Sequence, residues 1–460
     1  MRAHGSLGPI LRAATWPARA LVGFFELLLE SRKPPQVLLV GFLSYVILGV
    51  ILLSLPWAQT QSVGLLDNLF IATSGMSTTG LTTVSVSDSY SFFGELVVLC
   101  LFQLGGIGYM TLSSFVMLAS GQTLQRRRTG VLQTQFVLPR ELRIGRFVTE
   151  AVVFTAIIET IGAALLYFEF RATGVENALW SAIFHAVSAF TTAGFSLNNN
   201  SLEDFRGNGV VCLTVGILCY LGALGFIVLQ DAWQTFRRRR QRMTFTSRVI
   251  LTVTFTVFVA ATPILYLEDA SLQSLPPLER FYASAFQVMT SSTTAGFNTV
   301  PIQNMAAASF ALIIIMMIVG ASPSGTGGGL KTTTISSLIG VLLSLLRGQT
   351  TVVFFGHEIP TARILTATAS AALYLMCLAG GVFLLCLVES HSFVEIVFEA
   401  ASALGTVGLS LGITGSLTAG GKIVVTLLMF LGRVGPLTIG VALVRRAEYP
   451  VVRRIADLAV

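Results

Sequence analysis

Charge is the first thing this sequence lacks. Lys, Arg, Asp and Glu make up 11% of its 460 residues, where a soluble domain carries roughly 25%. With 53% hydrophobic residues and a mean hydropathy of +0.78, a single water-soluble core is excluded. Cysteine is sparse and unpaired in pattern. Cys100, Cys212, Cys219, Cys377 and Cys386 all lie in apolar runs with no CxxC spacing, which speaks against a disulfide framework or a zinc site. Of the four histidines, His185 has no second metal ligand at a suitable spacing. The N-terminus has no signal-peptide layout, since Glu26 interrupts the apolar stretch Ala20–Leu29 and no small-residue cleavage site follows. No HExxH, nucleophile elbow or paired-acid arrangement occurs in the apolar segments, so the chain does not read as an enzyme. A net charge of +7 would suit nucleic acid, but the basic residues sit in short loops between apolar segments, and no nucleic-acid partner is expected.

What the sequence has is length in its apolar runs. Crossing a bilayer takes about 20 helical residues. Runs near that length cover 36–55, 92–118, 148–169, 209–231, 249–267, 306–320 continued by 332–346, 364–388 and 422–444, giving eight crossings with one interrupted. Between the members of each pair lies a shorter apolar segment, at 64–75, 178–190, 281–292 and 393–404. Such lengths fit a buried or re-entrant helix.

Loop charge sets the orientation. Of 29 Lys and Arg, 23 fall on one side of this arrangement, in the first 33 residues, in the connections around Arg126–Arg128 and Arg237–Arg242, at Arg347 and Arg363, and from Arg445 onward. The positive-inside rule then places both termini in the cytoplasm, as does an even number of crossings. The same basic clusters suit contact with anionic membrane lipids or an acidic protein surface.

The segments after the short apolar pieces align as a repeat. They read Ser77-Thr78-Thr79-Gly80-Leu81, Thr191-Thr192-Ala193-Gly194-Phe195, Thr293-Thr294-Ala295-Gly296-Phe297-Asn298 and Thr406-Val407-Gly408-Leu409. Successive glycines are 114, 102 and 112 residues apart. A second glycine landmark begins at Gly105, Gly222, Gly320 and Gly432, which is 25, 28, 24 and 24 residues later. Two landmarks in register through four copies mark internal repetition. A helix that enters the membrane and stops must return as extended backbone lining water or packed in protein. Glycine lets successive carbonyls face one way, and four such loops make a ring of oxygens able to replace an ion's hydration shell. The short helices aim their negative dipole ends inward, and none of the four loops contains Lys or Arg. A cation path follows.

These motifs resemble the potassium-translocating membrane subunit of bacterial Ktr and Trk uptake systems, in the superfamily that includes fungal Trk and plant HKT transporters. The resemblance covers about residues 36–445, and the absence of an extra N-terminal helix pair makes it nearer the Ktr type. It implies an all-α integral membrane protein of the plasma membrane: four pseudo-symmetric helix–pore-loop–helix repeats around a central pore, with eight crossings and four re-entrant pore helices. The expected layout is a cytoplasmic arm over 1–35, repeats over 36–118, 148–231, 249–346 and 364–444, and a cytoplasmic tail over 445–460. The resemblance assigns the selectivity filter to Thr79, Gly80, Thr192, Ala193, Gly194, Thr294, Ala295, Gly296, Val407 and Gly408, with K+ held at their backbone carbonyls. It further implies K+ as the transported ion, Na+ as a candidate activator, no organic cofactor, a homodimer, and a cytoplasmic ring of nucleotide-binding regulatory subunits. Glycine at position 80 favours potassium; a sodium-permeable or poorly selective pathway of the same fold is the alternative.

The interrupted crossing contains Gly320-Ala321-Ser322-Pro323-Ser324-Gly325-Thr326-Gly327-Gly328-Gly329-Leu330-Lys331. Five glycines and a proline in twelve residues cannot propagate a helix. Gly325 to Thr332 superficially matches a phosphate-binding loop, but Leu330 stands where that motif needs glycine and no strand precedes it. The resemblance implies an intramembrane gate over residues 321–329, with Arg433 nearby as a repelling cation.

Overall fold

The computed structural model describes residues 34–119, 129–133, 144–237 and 242–443. The expected N-terminal arm up to residue 33, the tail from 444 and the arginines at 126–128, 140, 143 and 238–240 lie outside them. Sixteen helices of eight residues or more are delimited among the described residues, and they fall into four sets of four. The first set is α1 (Pro34–Leu53), α2 (Leu65–Ser77), α3 (Phe92–Ile107) and α4 (Tyr109–Ala119). The second is α5 (Ile144–Ala172), α6 (Ala178–Phe190), α7 (Gly209–Leu224) and α8 (Phe226–Phe236). The third is α9 (Phe245–Glu268), α10 (Pro277–Thr293), α11 (Ala307–Ile318) and α12 (Thr332–Leu346). The fourth is α13 (Thr361–Val388), α14 (Phe393–Gly405), α15 (Ala419–Val434) and α16 (Pro436–Leu443). A two-residue β-hairpin, Val353–Phe354 with His357–Glu358, links the last two sets.

The first helix of each set, α1, α5, α9 or α13, is long and apolar enough to cross a membrane by itself. The second helix of each is a short pore helix. The return leg departs from expectation, because it is broken in every repeat and not only in the third. α7 and α8 meet at 97°, and α15 and α16 at 86°. Single glycines at positive φ make the breaks in the first, second and fourth repeats: Gly108 (87°), Gly225 (86°) and Gly435 (88°). A glycine costs a helix only about 1 kcal/mol relative to alanine, so apolar sequence running through it reads as continuous. The return legs expected at 92–118, 209–231 and 422–444 are therefore each two helices. Packing explains the other landmark glycines. A Cβ on Gly105, Gly222 or Gly432 would overlap the carbonyl oxygen of Met76, Phe190 or Leu404, at the end of the same repeat's pore helix. The absent side chain lets the return leg press on the pore helix at its last turn.

Four buried apolar clusters form the core, each centred mainly on one repeat. Aromatic contacts close the seams between them. Phe102 of α3 stands edge-on to Phe184 of α6 at 5.3 Å, Phe310 of α11 meets Phe398 of α14 at 6.2 Å, and Phe42 of α1 meets Phe430 of α15 at 5.2 Å. The last contact joins the first repeat to the fourth and closes the circle.

Candidate ion pathway

All four pore helices end alike. Each is followed, at its cap or in the second repeat one residue beyond it, by a threonine in the left-handed region: Thr78 (φ 55°), Thr192 (51°), Thr294 (57°) and Thr406 (49°). Two residues on, the repeat glycine is again at positive φ, with Gly80 at 90°, Gly194 at 69°, Gly296 at 84° and Gly408 at 93°. The intervening amides turn back to the helix. Thr79, Ala193, Ala295 and Val407 donate to the carbonyls of Ser74, Ser188, Thr290 and Ser402 at 2.8–2.9 Å. The amides of Gly80 and Gly408 donate to the hydroxyls of Ser74 and Ser402 at 3.1 Å. Once these N–H groups are satisfied behind the loop, the loop carbonyls are left to face one another.

The four segments meet in cyclic order. A Cβ on Gly80 would strike the Ala193 carbonyl, one on Gly194 the Ala295 carbonyl (2.5 Å), one on Gly296 the Val407 carbonyl, and one on Gly408 the Thr79 carbonyl. Each glycine thus abuts the carbonyl preceding the next repeat's glycine, and the series returns to its start. All four glycines floor a cavity of about 460 Å3 whose walls include Val84–Val86, Asn198–Ser201, Glu203, Gln303 and Thr414. Polar links fasten its rim: Asn199 accepts from Ser85 (2.6 Å) and donates to Asp88 (2.9 Å). Asn298 donates to Glu203 at 2.8 Å. Asn199 thus ties the second repeat to the first, and Glu203 ties it to the third. Burial raises the Glu203 carboxyl above its ordinary value, against the lowering effect of the Asn298 bond.

On the opposite side of the glycines, the threonine hydroxyls converge on the broken third leg. Thr78 Oγ1 donates to the Thr326 carbonyl (3.2 Å), and Thr192 Oγ1 lies 3.1 Å from Thr326 Oγ1. Thr294 Oγ1 accepts from the Gly328 amide (3.2 Å). A Cβ on Gly328 would strike Thr406 Oγ1. One stretch, Thr326–Gly328, thus touches all four repeats. The start of the loop is pinned to the break in the second repeat, where the amides of Ser322 and Thr326 donate to Ala223 and Gly222 (both 3.1 Å) and the Phe226 amide donates to Ser324 (3.2 Å). Residues 319–331 form no helix, and Ala321, Ser322, Ser324 and Thr326 are buried.

Two basic side chains hold this loop. The Arg433 guanidinium donates to the carbonyls of Thr326 and Gly105, to Thr78 Oγ1 at 3.1 Å and to the Gly106 carbonyl at 3.3 Å. No carboxylate among the described residues pairs with it. Beyond placing a charge, it ties the loop to the first repeat. Lys331 turns back along its own loop and donates to the carbonyls of Gly327 (2.7 Å) and Gly328 (3.5 Å). Two acidic residues of α5 are held in pairs, Glu150 by Arg146 (2.7 Å) and Gln230 (2.6 Å), and Glu159 by Gln103 (2.9 Å).

The structure brings Thr79, Gly80, Thr192, Ala193, Gly194, Thr294, Ala295, Gly296, Val407 and Gly408 together, with residues 321–329 and Arg433 beneath them. Sequence reasoning missed Thr78 and Thr406, whose hydroxyls face the loop. The signal existed, because the position two before each repeat glycine is threonine in all four copies. It also missed Glu399, fully buried on the fourth pore helix.

Such a fold and site define a membrane protein with a channel-like cation path. A family model described as "TrkH: Cation transport protein" matches residues 42–451, and the chain belongs to that family. It is 33% identical over 412 residues to Ktr system potassium uptake protein B of Bacillus subtilis, covering 88% of this chain and 92% of that protein. It is 31% identical over 426 residues to the Potassium/sodium uptake protein NtpJ of Enterococcus hirae, covering 90% of this chain and 94% of that protein. The fold superposes on the potassium transporter TrkH from Vibrio parahaemolyticus with a TM-score of 0.72 at 18% identity, covering 90% of this chain and 86% of that chain.

Proposed function

We propose that this chain takes up potassium across the plasma membrane through a channel-like pore, with both termini in the cytoplasm. The observation that carries the reading is the cyclic contact of four glycine segments at the floor of a polar vestibule. Backbone oxygens at that point can substitute for the hydration shell of a dehydrated cation, and four pore-helix C-termini add negative potential. In this reading the ten filter residues hold K+ at their carbonyls. The loop 321–329, with Arg433, obstructs the path below them. A second copy of the chain and a cytoplasmic nucleotide-binding partner complete the system and release the loop. Support for a partner comes from a relative at 33% identity whose name makes it one component of a Ktr system.

A sodium-permeable pathway is the second reading, favoured by the relative named a potassium/sodium uptake protein. Ion flux into proteoliposomes, under potassium, sodium and voltage gradients imposed separately, tests both. The voltage is worth about 2.3 kcal/mol per charge per 100 mV. Voltage-driven K+ flux well above Na+ flux is expected. Equal fluxes would favour the second reading, and no flux of either ion after shortening the loop would remove the pathway.

A further inference from the structure

Nine residues before the repeat glycine, on the pore helix face behind the filter, the four copies carry Ile71, His185, Gln287 and Glu399. Two residues after the glycine they carry Thr82, Ser196, Asn298 and Ser410. In the second and fourth repeats these positions are bonded across the same separation of 11 residues. His185 Nε2 lies 2.9 Å from Ser196 Oγ, and Ser410 Oγ donates to Glu399 Oε2 at 2.8 Å. Each serine then accepts the backbone amide two residues on, that of Asn198 (2.9 Å) or Gly412 (3.0 Å). The chain leaving the filter is thereby strapped to its own pore helix twice, by two different chemistries. His185 Nδ1 faces the Ser181 carbonyl at 2.7 Å. That nitrogen therefore carries the proton, and Nε2 accepts from the serine.

Glu399 is the unusual member. It is a carboxylate with no exposed surface, and no basic group among the described residues pairs with it. Thr414 Oγ1 donates to Oε1 at 2.5 Å, so both oxygens are held by hydroxyls from the segment between filter and rim. Gly408, Ser410 and Thr414 all line the vestibule. A buried acid secured only by hydroxyl donors is expensive to keep in place and orients whatever it binds.

We infer that Glu399 is a positioning residue for ion discrimination, holding the fourth filter segment through Ser410 and Thr414 so that the Val407 and Gly408 carbonyls keep their place in the ring. The inference rests on the potassium-pathway reading. It assigns one repeat a rigid, acid-anchored outer arm, while the third repeat leaves both amide atoms of Gln287 without a partner and uses Asn298 to bind Glu203 instead.

The test measures K+ and Na+ flux through full-length protein in proteoliposomes for wild type, Glu399→Gln and the double variant Ser410→Ala/Thr414→Val. Glutamine keeps the shape, but its NH2 cannot accept from a hydroxyl. The K+:Na+ flux ratio is expected to fall at least threefold in both variants, and no further when the three substitutions are combined. Melting temperature is recorded alongside, because a purely structural role would lower it while folded protein kept its flux ratio. If Glu399→Gln does not fold, the double variant, which keeps the carboxylate, decides alone. An unchanged ratio in folded variants overturns the inference while leaving the pathway reading intact. A wild type that passes K+ and Na+ equally overturns the pathway reading and the inference together.

Discussion

A side chain on Gly408 would collide with the carbonyl oxygen of Thr79, so the last repeat closes on the first. The same collision recurs at the other three junctions. The glycine column therefore meets two demands at once. It supplies positive φ, and it lets neighbouring segments approach until their backbones touch.

Replacement of Gly80 by serine tests that geometry. The new Cβ would occupy the Ala193 carbonyl position at a φ of 90°. Strain of about 1–3 kcal/mol at such a residue must be relieved by shifting the ring. The K+:Na+ flux ratio is expected to fall roughly tenfold, since about 1.4 kcal/mol is a factor of ten, with the protein still folded. An unchanged ratio would show that the first repeat does not contribute to discrimination.

Removing Gly327–Gly329 shortens the loop that touches all four threonines. Basal K+ flux without a cytoplasmic partner is expected to rise several-fold. Arg433→Ala should move flux in the same direction, because it deletes the bonds to Thr326, Thr78, Gly105 and Gly106. Arg433→Lys should fall between alanine and wild type, as a single ammonium cannot span both sets of carbonyls. If neither the deletion nor the alanine variant raises flux in folded protein, the loop is a scaffold.

Lys331→Met removes the donor to the Gly327 and Gly328 carbonyls and leaves the other loop contacts. A charge-assisted hydrogen bond contributes about 1.5–3 kcal/mol, so basal flux should rise, by less than for the deletion. Flux equal to wild type would assign the lysine to the placement of α12.

Acidification of the vestibule side should act through Glu203. Burial raises its carboxyl above the ordinary value, so it takes up a proton at a higher pH than a free glutamate does. As pH falls through that range the rim loses a negative charge that attracts cations. K+ uptake at low potassium and low ionic strength is expected to drop roughly twofold. Glu203→Gln should start at the lower rate and lose this step; a persistent step in that variant would place the titration elsewhere.

The sequence by itself determined the repeat, the alternation of long and short apolar helices, and the residues of the glycine ring. Those features are local, and they recur four times in register. The position of the breaker-rich loop was legible for the same reason, since five glycines and a proline cannot continue a helix. Tertiary structure decided what depends on approach between distant segments. Gly108, Gly225 and Gly435 read equally well as tolerated helix glycines, and packing made them breaks. Arg433 read as a bare cation, and its partner Thr78, 355 residues away, made it a tie on the loop. Glu399 read as one more residue of an apolar helix until Ser410 and Thr414 folded back onto it. Apolar length and backbone freedom are properties of the chain, whereas a hydrogen bond's worth depends on which partner the fold brings within reach.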